Sequence, residues 1–186
     1  MKKLFKFDTK TIVATGLGAA LFTLLFMYVK VPSWIPETQL QTAYGISAFF
    51  GALFGPVAGA LIAFIGHAIS DSVQYGSAWW SWVIASGVSG FVAGFAHLNL
   101  KIEEGIFGTK DVVRFNAFQV VGNIIAWVVV APVLDIVIYA EPVNLVFTQG
   151  IIAAILNIVA TGVIGTLLLI AYSKTKSQKG SLSKNS

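Results

Sequence analysis

Long apolar segments separated by short polar stretches constrain the fold of this 186-residue chain more than any other feature. A helix needs ~20 apolar residues to cross a bilayer. Charged residues make up only 11% of the sequence, against about 25% in soluble domains, so the chain lacks the polar surface that water requires. The sequence therefore predicts an all-α integral membrane protein. Its apolar segments lie at about 12–29, 42–54, 56–70, 81–98, 112–138 and 143–173.

The second and third apolar segments decide the number of membrane crossings. Each is short for a span, and Gly55-Pro56 separates them. One kinked helix over both segments gives five crossings and puts the basic tail after residue 173 opposite the basic N-terminus. A hairpin between the two segments gives six crossings and puts the basic N-terminus and the basic tail on the same side of the membrane. Because cytoplasmic segments carry an excess of Lys and Arg, we predict six transmembrane helices, both termini in the cytoplasm, and a tight Gly-Pro hairpin between helices 2 and 3.

The two predicted sides of the membrane differ in chemistry. Lys30 is the one Lys or Arg placed outside, where most of the aromatic and amide side chains able to recognise a solute are placed as well. The acids placed outside are Glu37, Asp71, Asp135 and Glu141.

The N-terminal apolar segment could be mistaken for a cleaved signal peptide. It lacks a convincing small-residue cleavage site, so we predict an uncleaved first helix.

His67 and Asp71 form the most polar pair within the apolar segments. Residues four apart share one face of a helix, and ionisable groups inside a span are expensive and often functional. The alternative is a helix-end pair that reaches interfacial water. Two ligands alone do not make a metal site, and the chain has no cysteine, so no metal is predicted.

A tryptophan cluster follows this pair along the chain. Trp79, Trp80 and Trp82 are typical of a membrane interface, where the indole ring is half buried and its N–H reaches water. They also suit a stacking platform for a flat ring. Trp34 lies in a proline-stiffened loop after the first segment, from which it can close over such a ligand.

Polar side chains recur at helical spacing in the last two segments. Gln119, Asn123 and Trp127 share one face, and Gln149 and Asn157 share another. We predict interhelical hydrogen bonds for the two amides of the first set and for Asn157, worth about 0.6 kcal/mol each. For Trp127 and Gln149, in the outer half, a ligand role is equally open.

Small residues recur on the first helix as Ala14-xxx-Gly18 and, offset, Gly16-xxx-Ala20. Such a stripe is flat, so another helix can approach it closely. The pattern predicts a helix contact at this stripe. Whether the partner helix belongs to this chain or to another stays open.

Two other functions fit parts of the sequence. A stand-alone proton-coupled carrier would use His67 and Asp71 as a relay. A small intramembrane enzyme would need paired acids with a metal, and Glu103-Glu104 is the only adjacent pair. The chain has no phosphate-binding loop, nucleophile elbow or HExxH motif, so no catalytic residue and no cofactor is predicted. Its basic residues form no folded basic face, so nucleic acid is not a predicted partner.

Several stretches of the sequence, taken in order, are similar to the motifs of a known family. They are FGPVAGALIAFIGHAISD, YGSAWWSWVIASG, KIEEGIFGTKD, VVAPVLDIVIYAEPVNLVFTQG and the tail KTKSQKG. Over almost its whole length the chain resembles the substrate-capture (S) component of an energy-coupling factor (ECF) vitamin transporter. It is similar in particular to the subfamily for which hydroxymethylpyrimidine, a thiamine precursor, or a pyridoxine-like vitamer has been proposed.

This resemblance implies a multi-pass protein of the bacterial cell membrane, with a solute pocket in its outer half. Residues 1–173 would form a single transmembrane substrate-binding domain, and 174–186 a basic polar cytoplasmic tail. A transmembrane coupling protein (T component) and two cytoplasmic ATPases would be its partners. In the family an Ala-xxx-Ala motif on the first helix contacts the coupling protein. This sequence offers Ala14, Gly16, Gly18 and Ala20 instead.

The expected solute is a small flat heterocycle, captured outside and delivered inward as the protein reorients in the membrane. The excess of outer acids suits a neutral or protonated nitrogen heterocycle better than an anion. We predict that tryptophans stack on its ring and that carboxylates and amides bond its edge. The predicted contact residues are Trp34, Glu37, Asp71, Tyr75, Trp79, Trp80, Trp127, Asp135, Asn144 and Gln149.

Overall fold

The computed structural model describes residues 8–176. It contains six helices and one short β-hairpin in this range. The parts of the predicted basic termini at Lys2, Lys3, Lys6, Lys179 and Lys184 lie outside the described residues. The elements are α1 Thr9–Tyr28, β1 Lys30–Pro32, β2 Gln39–Gln41, α2 Ala43–Phe54, α3 Pro56–Tyr75, α4 Trp80–Gly94, α5 Thr109–Tyr139 and α6 Val143–Lys174.

Five of these helices are long and apolar enough to cross a membrane, which confirms the prediction of a helical membrane protein. They are α1, α3, α5, α6 and α4 together with the short 3₁₀ turn Phe95–Leu98 that continues it. The sixth helix, α2, is apolar but has only 12 residues. Outward-facing side chains such as Ile12, Leu17 and Leu167 are exposed, as a lipid-facing surface requires.

The chain breaks between α2 and α3 at Gly55. This residue has φ of 101° and ψ of 172°, a conformation that glycine adopts at little cost because it has no Cβ. Pro56 begins α3, where its missing N–H leaves no helical hydrogen bond unmade. Residues 42–70 are therefore divided between two helices and do not form one kinked helix.

α5 is irregular in its second half. Its regular turns end at Ile124, and two wider turns with π-type hydrogen bonding, Ile125–Val130 and Asp135–Tyr139, follow on either side of a short α-helical turn that contains Pro132. Proline cannot donate to the helical ladder, and such wide turns are often found at functional sites. Trp127 lies in the first wide turn and Asp135 in the second.

The two ends of the bundle are distinguishable. Lys10 near the start of α1 and Lys176 just after α6 both approach Glu103, with nitrogen to carboxylate distances of 3.9 and 2.9 Å. We call this the lysine end. The opposite end carries the β-hairpin and the α3–α4 and α5–α6 connections, and we call it the cavity end. The first and last described helices thus begin and end on the same side.

Near the lysine end, α2, α3 and α4 come into backbone contact through four glycines. A Cβ built on Gly59 would lie 2.5 Å from the carbonyl oxygen of Gly90, and one built on Gly90 would overlap the carbonyl of Gly59. A Cβ on Gly51 would lie 3.1 Å from the Cα of Gly94. We call Gly51, Gly59, Gly90 and Gly94 the glycine joint, because no side chain separates the helices there.

The small-residue stripe of α1 is divided between the inside and the outside of the chain. Ala14 and Gly18 are buried, and a Cβ on Gly18 would collide with Ile62 of α3. Gly16 and Ala20 are exposed, and nothing lies within 4 Å of a Cβ built on Gly16. One pair is therefore used within the chain, and the other pair is available to a partner.

Candidate solute-binding site

A cavity of about 640 Å³ lies at the cavity end, between the β-hairpin and helices α1 to α6. Aromatic rings form much of its wall. Charged side chains from the β-hairpin with its loop, from α3, from α5 and from the α5–α6 connection reach it as well. Its aromatic lining consists of Phe26, Tyr44, Tyr75, Trp79, Trp82 and Trp127, and its charged lining of Lys30, Glu37, Asp71, Asp135 and Glu141.

The structure brings most of the predicted contact residues to this cavity. Trp34 does not line it, since this side chain is 77% exposed in the loop between the strands. Trp80 packs beside Phe64 on the outside, and Asn144 is exposed at the start of α6. The predicted residues that do line the cavity are Glu37, Asp71, Tyr75, Trp79, Trp127, Asp135 and Gln149.

Asp135 orients two of the tryptophans in the cavity wall. Its carboxylate, which is only 2% exposed, accepts hydrogen bonds of 2.7 Å from the indole N–H groups of both Trp79 and Trp82, and a further one from the Ser81 hydroxyl. Bonds to a charged acceptor are stronger than those between neutral groups, and three donors offset much of the cost of burying the charge. Asp135 therefore fixes two rings of the wall in one orientation.

A second set of bonds positions Trp127. Its ring stacks on Trp82 with centroids 5.4 Å apart, and its indole N–H donates to Asn123 at 2.8 Å. Asn123 donates in turn to the side chain of Gln119, which donates to the carbonyl of Ile158 on α6. The predicted interhelical hydrogen bond is present for Gln119, whereas the side-chain bonds of Asn123 stay within α5 and Asn157 bonds the β-hairpin. Gln119 and Asn123 also orient the indole ring of Trp127 in the cavity, a role that the sequence did not indicate.

A hydrogen-bonded chain crosses the cavity floor from Tyr44 to Asp71. The hydroxyls of Tyr44 and Ser86 are 2.9 Å apart, and Ser86 lies 2.6 Å from Nδ1 of His67. Nε2 of His67 is 3.3 Å from Asp71. With the imidazole proton on Nε2, His67 donates to Asp71, and its Nδ1 and the carbonyl of Trp82 at 2.9 Å are the two acceptors within reach of the single Ser86 hydroxyl proton. The predicted His67–Asp71 pair is thus buried in the bundle and is part of a larger network.

Asp71 also holds the turn that follows α3. Its second oxygen accepts from the backbone N–H of Trp79 at 3.0 Å, and the residue is 5% exposed. The carboxylate is therefore already used twice within the protein. It still lines the cavity and has lone pairs available to a solute.

The β-hairpin and its loop close one side of the cavity. The side chain of Gln149 on α6 donates to the carbonyl of Pro36 at 3.2 Å, and Lys30 donates to Gln74 on α3 at 3.0 Å. Asn157 on α6 accepts from the backbone N–H of Gln41 at 3.1 Å. The hairpin and its loop are thus attached to α3 by one of these hydrogen bonds and to α6 by two.

The charge around the cavity is mostly negative. Its lining holds four carboxylates and one lysine, besides His67. Such a wall attracts cations and hydrogen-bond donors and repels anions. Within residues 8–176 no group of three His, Cys, Asp or Glu side chains is arranged to hold a metal ion.

Sequence reasoning did not select Tyr44, Gln41 or Ser86 as site residues. Tyr44 and Ser86 lie inside apolar segments, where a hydroxyl without a partner is costly. From that cost alone, the sequence could have indicated that each hydroxyl faces a polar neighbour. Gln41 stands in a polar turn and belongs to the amide side chains that the sequence places outside, but it is not among the predicted contact residues.

The model of the family described as "ECF-type riboflavin transporter, S component" matches residues 6–174. The chain belongs to this family. It is 53% identical over 180 residues to the UPF0397 protein of Enterococcus faecalis, covering 97% of this chain and 98% of that protein. It is 49% identical over 187 residues to the UPF0397 protein of Streptococcus gordonii, covering both in full.

The fold is that of a solved S component. The crystal structure of the S component for biotin from an ECF-type ABC transporter matches with a TM-score of 0.59, covering 91% of this chain and 94% of that one. Sequence identity is 16%, so the likeness concerns the fold alone. The family identifies a substrate-binding transport subunit of bacterial membranes, not an enzyme, and S components work with a T component and ATPases.

Proposed function

We propose that this chain is the S component of an ECF importer for a small flat vitamin or precursor, either hydroxymethylpyrimidine or a pyridoxine-like heterocycle. The observation that carries the proposal is the cavity, in which carboxylates surround tryptophans held by Asp135. The indole rings offer faces for stacking. The carboxylates accept hydrogen bonds from amino, hydroxyl or protonated ring-nitrogen groups.

The proposed topology has six crossings, with both termini and the lysine end in the cytoplasm. The break at Gly55 and the shared position of Lys10 and Lys176 support it. Lys30, at the cavity end, is then the exception to the positive-inside rule. Residues 1–173 form the transmembrane domain in this proposal, and 174–186 form its basic tail.

The proposed coupling surface is the exposed pair Gly16 and Ala20 of α1. A flat stripe lets a helix of the T component approach closely. Ala14 and Gly18 belong to the same predicted set, but they are buried against the rest of the chain. They would support the surface from behind. The two ATPases would supply the energy for reorientation, since this chain has no nucleotide-binding loop.

The proposal is tested with full-length protein purified in detergent. Mass spectrometry identifies any small molecule that co-purifies, and thermal unfolding is then measured with hydroxymethylpyrimidine, pyridoxine, riboflavin and biotin. A ligand that binds only the folded state raises the Tm in proportion to RT ln(1 + [L]/Kd). We expect one of the first two compounds to do so. If none of the four raises the Tm and nothing co-purifies, the proposal is wrong.

Riboflavin is the second candidate, because the description of the matching family names it. The same experiment separates the two. A Tm increase with riboflavin alone would keep the S-component function and replace the proposed solute.

A further inference from the structure

Gln41 is a buried amide at the edge of the cavity. It is the last residue of β2, its side chain lines the cavity, and the residue is only 7% exposed. Long polar side chains are rarely buried unless their polar atoms find partners. The bonds that Gln41 makes, and the one it does not make, are therefore informative.

Two contacts hold Gln41 in place. Its backbone N–H donates to Asn157 of α6 at 3.1 Å, and its side-chain Nε2 donates to the side chain of Gln39 at 3.3 Å. The side-chain oxygen Oε1 is buried and has no hydrogen-bond partner among residues 8–176. The other such atom in this range belongs to Thr161, which does not line the cavity.

A buried acceptor without a partner is costly, because it has lost water and gained nothing in return. In a binding site the cost is removed when a ligand donates to that atom. We propose that Gln41 is a specificity-determining residue, whose Oε1 accepts a hydrogen bond from an amino or hydroxyl group of the captured solute. This inference rests on the proposed function and specifies the solute as a donor-bearing heterocycle.

The arrangement selects for a donor at one position of the solute. A solute with N–H or O–H there pairs Oε1, whereas an analogue with a methoxy group or a bare ring nitrogen leaves two acceptors facing each other. Sites that bond a substrate group in this way reject analogues that lack it far more strongly than apolar pockets do. The nearby carboxylates of Asp71 and Asp135 add further acceptors, in keeping with a donor-rich solute.

The test compares Gln41→Met, which removes the acceptor at similar size, with Gln41→Glu, which keeps it. The full chain in detergent is titrated with the filtrate of yeast extract below 1 kDa, a source of water-soluble vitamins, and with hydroxymethylpyrimidine and pyridoxine. Thermal unfolding of the ligand-free protein is measured in parallel. The matched control is Thr23→Val, since the Thr23 hydroxyl joins α1 to the carbonyl of Gly66 on α3 at 3.2 Å and does not line the cavity.

We expect Gln41→Met to unfold within ~2 °C of the wild type without ligand and to bind at least about tenfold more weakly. Gln41→Glu should retain most of the affinity, and the control should unfold at lower temperature with unchanged affinity. A Met variant with wild-type affinity, or one that unfolds far below the wild type, would overturn the inference. A Glu variant as weak as the Met variant would show that the amide donates instead of accepting, and would also overturn it.

The proposed function fails in a different way. If neither the filtrate nor the two compounds stabilise the wild type, the proposed function is overturned and the inference falls with it. If they stabilise the wild type and Gln41→Met equally, only the inference is wrong.

Discussion

The glycine joint and the cavity are built largely from the same helices, yet they differ in how closely the helices pack and in how polar the residues between them are. At the joint, backbones of α2, α3 and α4 touch and no polar side chain intervenes. At the cavity end, α3 and α4 are joined through His67 and Ser86, buried carboxylates line an open space, and Gln41 at its edge has a buried, unpaired amide oxygen. Close packing favours a single rigid arrangement, whereas unpaired polar groups are costly until a ligand arrives.

Under the proposed function, the residues that determine stability and those that bind the solute are separated along the length of the bundle. Substitutions at the glycine joint should change the free energy of unfolding. Substitutions in the cavity should change affinity, except where a side chain also supports the wall. Each prediction below tests one side of this separation.

The largest expected effect is at the joint. Gly90→Val places a branched side chain against the carbonyl of Gly59, where only backbone can move aside. We expect a loss of about 4 kcal/mol or more, enough to prevent accumulation of folded protein. The measurement is yield and Tm in detergent. The matched control, Gly16→Val, faces open space and should stay within about 0.5 kcal/mol of the wild type. Equal behaviour of the two variants would show that the joint is not tightly packed.

Asp135→Ala should affect both properties. It removes three hydrogen bonds and leaves the indole N–H groups of Trp79 and Trp82 without their acceptor. We expect a loss of about 2 kcal/mol in stability and, because the wall loosens, a more than tenfold loss of affinity. Thermal unfolding, ligand titration and tryptophan fluorescence measure these. Loss of affinity at full stability would mean that the carboxylate contacts the solute directly and does not support the wall.

Asp71→Asn should affect binding more than stability. An amide oxygen can still accept from the backbone N–H of Trp79, and the amide NH2 can donate to Nε2 of His67 with the imidazole proton on Nδ1. We therefore expect less than about 1 kcal/mol of destabilisation. The lost charge should weaken binding of a donor-bearing solute about tenfold. Parallel titration and unfolding provide the measurement, with Asp111→Asn at the lysine end as the control. Equal losses of stability and affinity would assign Asp71 a structural role.

The smallest effect is expected from Glu103→Gln at the lysine end. Burial alone would raise the pKa of Glu103, but hydrogen bonds from Lys176 and Tyr172 and the charge of Lys10 outweigh it and lower this pKa below its usual 4.5. Hydrogen bonds with Tyr172 and Glu103 raise the pKa of Lys176 to about 12, so this lysine stays charged. The contribution of Glu103 is therefore complete above its unfolded pKa and is lost as pH falls through its lower folded value.

We expect Glu103→Gln to cost less than about 1 kcal/mol at pH 7, since the site is largely exposed and screened by salt. As pH falls from the usual pKa of 4.5 through the lower folded pKa of Glu103, the variant and the wild type should converge. Unfolding measured across acidic pH at two salt concentrations checks this. A difference that does not shrink as pH falls would attribute the effect to packing and not to charge.

Apolar patterning was enough to predict a helical membrane protein, and the chain does pass from one helix to the next at Gly55. The same patterning indicated which acids gather at one end, and Asp71 and Asp135 do line one cavity. These features depend on local composition and on residues close in sequence, such as His67 and Asp71, which a helix brings together in any fold.

The rest depends on contacts between distant residues. Trp79 and Trp80 are adjacent and chemically identical, yet only Trp79 reaches Asp135, which is 56 residues away. Gln41 is held by Asn157 across 116 residues. No local pattern specifies such pairs, because they arise from how the helices pack.

The wide turns of α5 have a consequence for how this wall is specified. In a regular helix of 3.6 residues per turn, residues eight apart lie about 80° apart around the axis, yet Trp127 and Asp135 both contact Trp82. Wider turns bring the two positions closer to one line. Residues seven apart in a regular helix lie only about 20° apart, so the first wide turn absorbs one extra residue and keeps Asp135 directed at Trp82. The hydrogen bonding of this helix, as much as the chemistry of its residues, therefore determines which carboxylate supports the tryptophans of the cavity.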